Sequence, residues 1–305
     1  MSDERELEDL LAEARRRLGP EPREGAPEAA AAPEGPAAAA LAAAAAAEAA
    51  VAQRSAATAP APHEGWLRLR TAGVLTSRLV DLKLSDPVGT GILLLQAPLI
   101  GLCVGVAFDG ESYATRALQF VLAMVAVWLG TFSACREVVK ERLIFLRERR
   151  AGVPVRAYLL SKVVVLAFFS VVQCLLLVLT VSRSVVFDDA HPVTVFCALL
   201  ATCLCANALG LLLSAAVKSQ NSLIALVPVA LIPQLIFSEA ILGDAGEAVE
   251  RIELAMIASW SYDVLHELPK DDPSWATVLG GFAVLFAFQG VMLLGSALLL
   301  RAQDE

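Results

Sequence analysis

Six stretches of the chain carry no charged side chain, and each is close to the length of a membrane crossing: residues 87–108, 117–135, 163–182, 192–217, 219–238 and 273–300. No other feature limits the possible folds so tightly. A hydrocarbon layer roughly 30 Å thick is crossed by about 20 apolar residues in a helix. Lipid offers the backbone no hydrogen-bond partners, so the crossing segments must satisfy their own. A composition of 57% hydrophobic and 18% charged residues over 305 fits a polytopic membrane protein. The expected fold is an all-α membrane protein with six transmembrane helices. The fourth and fifth stretches are separated by Lys218 alone, so a tight turn joins them. The sixth is longer than a crossing, which puts its start near Trp275 in the interface.

Basic residues decide the orientation. They concentrate in residues 136–162, REVVKERLIFLRERRAGVPVRAYLLSK, between the second and third stretches. Placed on the cytoplasmic side, this segment is joined there by Arg68, Arg70, Arg78, Lys83, Lys218 and Arg301. Only Arg116, Arg183, Arg251 and Lys270 are then left outside, and both the N and C termini are cytoplasmic. Within the segment a short helix can run through Arg150, with Gly152 as its stop and Pro154 in the first turn of the next helix. The alternating charges of KERLIFLRERR suit a protein partner as well as lipid headgroups, and an ordinary basic anchor is the plainer reading.

Residues 1–64 are Ala/Pro/Glu-rich and read as a disordered cytoplasmic tail, leaving 65–305 as the membrane domain. The first residues, MSDERELEDLLAEARRR, are charged, and no apolar leader is expected there. Residues 66–85 mix apolar side chains with Arg68, Arg70, Arg78 and Lys83, the pattern of an interfacial helix. Residues 243–272 carry Val249, Ile252, Met256, Trp260 and Val264 at steps of three or four, which predicts an amphipathic helix at the outer leaflet. The net charge of −8 reflects acids in the tail and outer loops, and nothing in the pattern points to nucleic acid.

The six stretches hold no Asp, Glu, Lys, Arg or His, which argues against ion-coupled transport and voltage sensing. Gln96, Gln119, Gln173, Gln234, Gln289 and Asn207 read as helix–helix hydrogen-bonding residues. Phe120, Met124 and Trp128 fall at i, i+4 and i+8, which serves either core packing or an apolar substrate wall. Pro228 and Pro233 interrupt the fifth stretch, as prolines do in both moving and static helices. The cysteines lie in or at the ends of the spans without metal-ligand spacing, so they read as small buried apolar residues and no metal is expected. No catalytic constellation and no GxxxxGK[ST] phosphate loop occur, so ATP hydrolysis by that route requires another chain.

The order of these pieces is similar to a known pattern. REVVKERLIFLRERRAG leads into YLLSKVVV, followed by ALGLLLSAAV, LVPVALIPQLIFSEAIL and an outer amphipathic helix before the last span. This resembles the membrane (permease) domain of type-2 ATP-binding cassette (ABC) transporters, in particular the G-subfamily (White-like) exporters, over roughly residues 66–301. The resemblance implies that 66–85 is a connecting helix and that 137–150 holds a coupling helix docking on a nucleotide-binding ATPase subunit. It implies coupling roles for Glu137, Glu141, Arg142, Phe145 and Arg149. It also implies a homo- or heterodimer of membrane domains, with a cavity lined by Phe120, Met124, Trp128 and Thr131 of the second span and Val229 and Leu231 of the fifth. The sequence departs from the pattern where an Ala/Pro tail stands in place of the fused ATPase domain, at Glu239 in IFSEA, and in ASWSYDVL, which lacks a proline.

The expected function is therefore that of a permease subunit of an ABC exporter in a bacterial inner membrane, moving an apolar or amphiphilic substrate. No cofactor is expected on this chain; ATP and Mg belong to a separate ATPase. The alternatives are a non-transporting membrane scaffold or assembly factor that keeps a permease-like fold, and an intramembrane enzyme.

Overall fold

The computed structural model describes residues 64–302 except 151, 188–189, 238–246 and 271. The tail read over residues 1–64 lies outside the described residues, Glu64 excepted. The described part is helical, without a β-strand. It begins with α1 (Glu64–Leu84), α2 (Pro87–Ala107), α3 (Arg116–Ala134), α4 (Glu137–Lys140) and α5 (Arg142–Arg150). It continues through α6 (Val155–Val181), α7 (Pro192–Ala216), α8 (Gln220–Ile236), α9 (Glu247–Glu253), α10 (Ile257–Glu267) and α11 (Trp275–Ala302).

Among the described residues, five helices are long and apolar enough to cross a membrane: α2, α3 continued through α4, α6, α7 and α11. The remaining expected crossing, the fifth stretch, corresponds to α8, which has 17 residues. At 1.5 Å per residue it reaches about 26 Å, short of a layer of roughly 30 Å. Pro228 and Pro233 sit inside it and each removes an N–H from the helical ladder. One boundary differs in a way that matters for the site. The third crossing starts at Val155 rather than at residue 163, so Lys162 belongs to the helix. The expectation of spans free of ionisable groups is corrected at this position.

The core is built where helices approach through small residues. A Cβ placed on Gly130 of α3 would lie 2.3 Å from the Cys203 carbonyl oxygen of α7. One placed on Gly210 of α7 would lie 2.6 Å from the Thr131 carbonyl oxygen of α3. The two backbones therefore touch at two levels, as small-residue helix interfaces in membranes allow. Four cysteines, Cys135, Cys174, Cys203 and Cys205, are buried as expected, whereas Cys103 and Cys197 are exposed. On α2 the exposed residues Val88, Ile92, Leu95, Leu99, Leu102 and Val106 recur at steps of three and four and form one apolar stripe. Such a face is costly in water and suited to acyl chains.

Beyond α2, the α2–α3 connection is tied to the α6–α7 connection. The Tyr113 N–H donates to the Val186 carbonyl (2.9 Å), and the Val186 N–H donates to that of Glu111 (3.0 Å). Tyr113 is fully buried, its ring 5.2 Å from that of Phe187, and its hydroxyl donates to the Leu265 carbonyl of α10 at 3.2 Å. Burial pushes its hydroxyl above the ordinary phenol range, so it stays neutral. Tyr113→Phe is expected to cost about 1 kcal/mol by leaving that carbonyl unpaired. Thermal unfolding in detergent, compared with wild type, checks it.

The stretch 243–272, expected as one amphipathic helix, contains two. α9 ends at Glu253, a turn passes Leu254 and Ala255, and α10 starts at Ile257. Across this break Ile252 is exposed while Ile257, Ala258, Ser261, Tyr262, Val264 and Leu265 are buried. The Gln234 side-chain oxygen of α8 accepts from the Ala258 N–H at 3.0 Å, tying α10 to α8.

Candidate functional site

The charged loop has a well-defined end. The Gly152 N–H bonds to the Arg149 carbonyl (2.9 Å) and the Val153 N–H to the Glu148 carbonyl (3.1 Å), with Gly152 at φ +92°. This is a Schellman stop, and only glycine adopts that φ without strain. Pro154 then caps α6. At its other end the loop is pinned to α7. The Ser214 hydroxyl oxygen accepts from the N–H groups of Val138 (3.2 Å) and Val139 (3.0 Å), donors that a helix start leaves without partners.

Behind the loop lies a buried charge cluster. Lys162 is 1% exposed, and its ammonium reaches Glu137 at 3.2 Å and Glu141 at 2.7 Å. Lys83 of α1 meets the other oxygen of Glu137 at 2.5 Å. Two acids and two bases thus close on one another, which is the condition under which charges tolerate burial. The Lys162 ammonium also lies 5.6 Å over the Tyr158 ring, and Phe145 packs on that ring at 4.6 Å. Arg78 of α1 pairs with Glu148 of α5. This cluster and the Arg78–Glu148 pair join α1, the loop and α6.

Among the five expected coupling residues, Glu137, Glu141 and Phe145 point into the protein and hold the loop. Arg142 donates to the Val217 carbonyl at 3.2 Å, fixing the α7–α8 turn, and Arg149 is half-buried. The outward face consists of Arg136, Lys140, Leu143, Ile144, Arg147 and Arg150, with Leu143 72% exposed. Positions 136, 140, 143, 147 and 150 step by four and three, so this face was visible as helical periodicity. Which face turns outward was not.

The expected cavity residues divide in the same way. Phe120, Met124 and Thr131 are buried in the chain, Phe120 edge-on to Tyr262 at 6.5 Å, and Leu231 is on the buried side of α8. Trp128 is 45% exposed and packs edge-on against Phe132, also exposed, at 6.0 Å. Val229 is 65% exposed. The exposed side of α3 is thus the Trp128–Phe132 face, displaced from the Phe120–Met124 line. α8 adds Ile224, Val229, Ile232 and Leu235 as exposed apolar residues.

A multi-pass helical bundle with a charged loop clamped to its ends has the build of a transporter permease. The family model "ABC-2 type transporter" matches residues 72–243, more than half of the chain, and the protein belongs to that family. It is also similar to the ABC transporter ATP-binding/permease protein Rv1747 of Mycobacterium tuberculosis, with 30% identity over 150 residues. That match covers 47% of this chain and only 17% of the relative. The protein is a multi-pass membrane permease of the ABC-2 class.

Proposed function

We propose that the chain is the membrane subunit of an ATP-driven exporter and that its ATP is hydrolysed on a separate nucleotide-binding chain. The observation that carries this reading is the loop: its outward face is basic and apolar, while its inward face is bonded to α1, α6 and α7. A segment so held transmits a push instead of absorbing it. The basic loop lies on the cytoplasmic side with both termini, as the distribution of Lys and Arg requires. Two membrane domains pair, with Trp128 and Phe132 of α3 and Val229 and Ile232 of α8 forming an apolar wall. Phe120, Met124, Thr131 and Leu231 back that wall. An apolar or amphiphilic substrate suits a surface without charge, in a bacterial inner membrane.

The test is co-purification from mildly solubilised membranes. The wild-type chain is expected to bring down a soluble ATPase with Walker motifs and measurable ATP turnover. Leu143→Glu with Arg147→Glu should reduce its recovery at least tenfold, since a reversed charge and a buried acid each cost on the order of 1–3 kcal/mol at an interface. If no ATPase co-purifies, or the double variant retains it, the transport reading fails and a scaffold role takes its place.

A further inference from the structure

We propose that a cleft at the loop end of the bundle binds the phosphate headgroup of an anionic phospholipid. The cleft has a volume of about 470 Å³ and is lined by Arg149, Pro154, Val155, Arg156 and Arg301. Among the described residues, three guanidinium-bearing side chains and no carboxylate line one opening. Arginine grips phosphate through two parallel N–H donors, which a lysine cannot do.

Position argues for a lipid over a free anion. Arg156 is the second residue of α6, and Arg301 is the last but one of α11, both helices long enough to cross a membrane. The cleft thus sits at the depth where headgroups meet water, where basic pockets between crossing helices select anionic lipids. Below each arginine the same helical face turns apolar and exposed. Leu160 and Val164 follow Arg156 at four-residue steps, and Leu298 and Leu294 precede Arg301 by three and seven. A phosphate above and two apolar stripes beneath match a phospholipid from head to acyl chain. The α6–α11 seam carrying the cleft is closed by Leu159, Leu293, Ala297 and Leu300.

The test uses the full-length protein in mixed micelles containing phosphatidylglycerol or phosphatidylcholine, with bound lipid counted by native mass spectrometry. Phosphatidylglycerol should be retained at least tenfold over phosphatidylcholine. Arg156→Ala with Arg301→Ala should reduce that retention by roughly 25-fold, about fivefold per arginine. Arg156→Lys with Arg301→Lys, equally monodisperse, should restore part of it. Equal retention of the two lipids overturns the proposal. So does displacement of phosphatidylglycerol by millimolar inorganic phosphate, which would make the site one for a free anion. Unchanged lipid retention with loss of the co-purifying ATPase would make the cleft part of the docking face and overturn it too. The lipid readout needs no ATPase, so it stands or falls apart from the transport reading.

Discussion

Gly130→Ala should lower the unfolding temperature of the purified protein by on the order of 10 °C, and Gly210→Ala should do nearly the same. The reason is that the new methyl meets backbone, not the end of a flexible side chain. At Gly130 it would stand 2.3 Å from one carbonyl oxygen of α7, and at Gly210 it would stand 2.6 Å from one of α3. Neither oxygen can move without shifting its helix, so the two helices must separate. Overpacking of this kind costs about 3 kcal/mol, and for a chain of this size each kcal/mol corresponds to roughly 2–4 °C. A thiol-reactive dye provides the readout. Cys103 and Cys197 are exposed and label at once, while Cys135, Cys174, Cys203 and Cys205 are buried and label on unfolding. Gly280→Ala on α11 is the control, because nothing lies within 4 Å of its Cβ position, and it should leave the curve unchanged. A Gly130→Ala curve that overlays the wild type would show that α3 and α7 do not pack so closely.

Lys162→Met should cost about 3–5 kcal/mol, the range for removing one partner from a buried ion pair. Methionine keeps much of the stem's apolar volume and removes the charge. Glu137 then retains Lys83, but Glu141, 6% exposed, loses the cation at 2.7 Å and faces Glu137 uncompensated. Adding Glu141→Gln should recover a large part of the loss, because a neutral amide needs no cation. The double-mutant comparison separates charge from packing: recovery assigns the cost to the unpaired acid. If the double variant is as unstable as the single one, the cluster is not what holds the loop.

The crossings were legible because a charge in lipid is costly, so uncharged runs of the right length mark them. Residues 87–108 and 192–217 correspond to helices Pro87–Ala107 and Pro192–Ala216. The Gly152 stop and the Pro154 restart were equally plain, since each rests on a local backbone preference. Lys162 was not legible. It looked like the edge of a loop because its partners, Glu137 and Glu141, lie a helix and a turn away in sequence and are brought to it only by folding. For the same reason the inward turn of Glu137, Glu141 and Phe145 was not legible. Glu137 and Glu141 are the counter-ions of a buried lysine. On α3 the periodicity gave a stripe but not its phase, so Phe120 and Met124 were grouped with Trp128 although they face the core. The length of α8 lies beyond composition, because an uncharged run of sequence does not reveal where the helix within it stops.

The attachment of α8 has a mechanical meaning. Leu223, Val227, Leu231 and Gln234 fall on one buried line, Leu226, Ala230 and Pro233 beside it are half-buried, and the opposite side is open. A rod fastened along a single seam rolls about that seam at little cost, while α3 and α7, meshed backbone to backbone, turn only together. A few degrees of roll would carry Val229 and Ile232 around the seam and leave the bundle behind them undisturbed. Among the described helices, α3 and α7 thus form a rigid frame and α8 a more loosely seated neighbour.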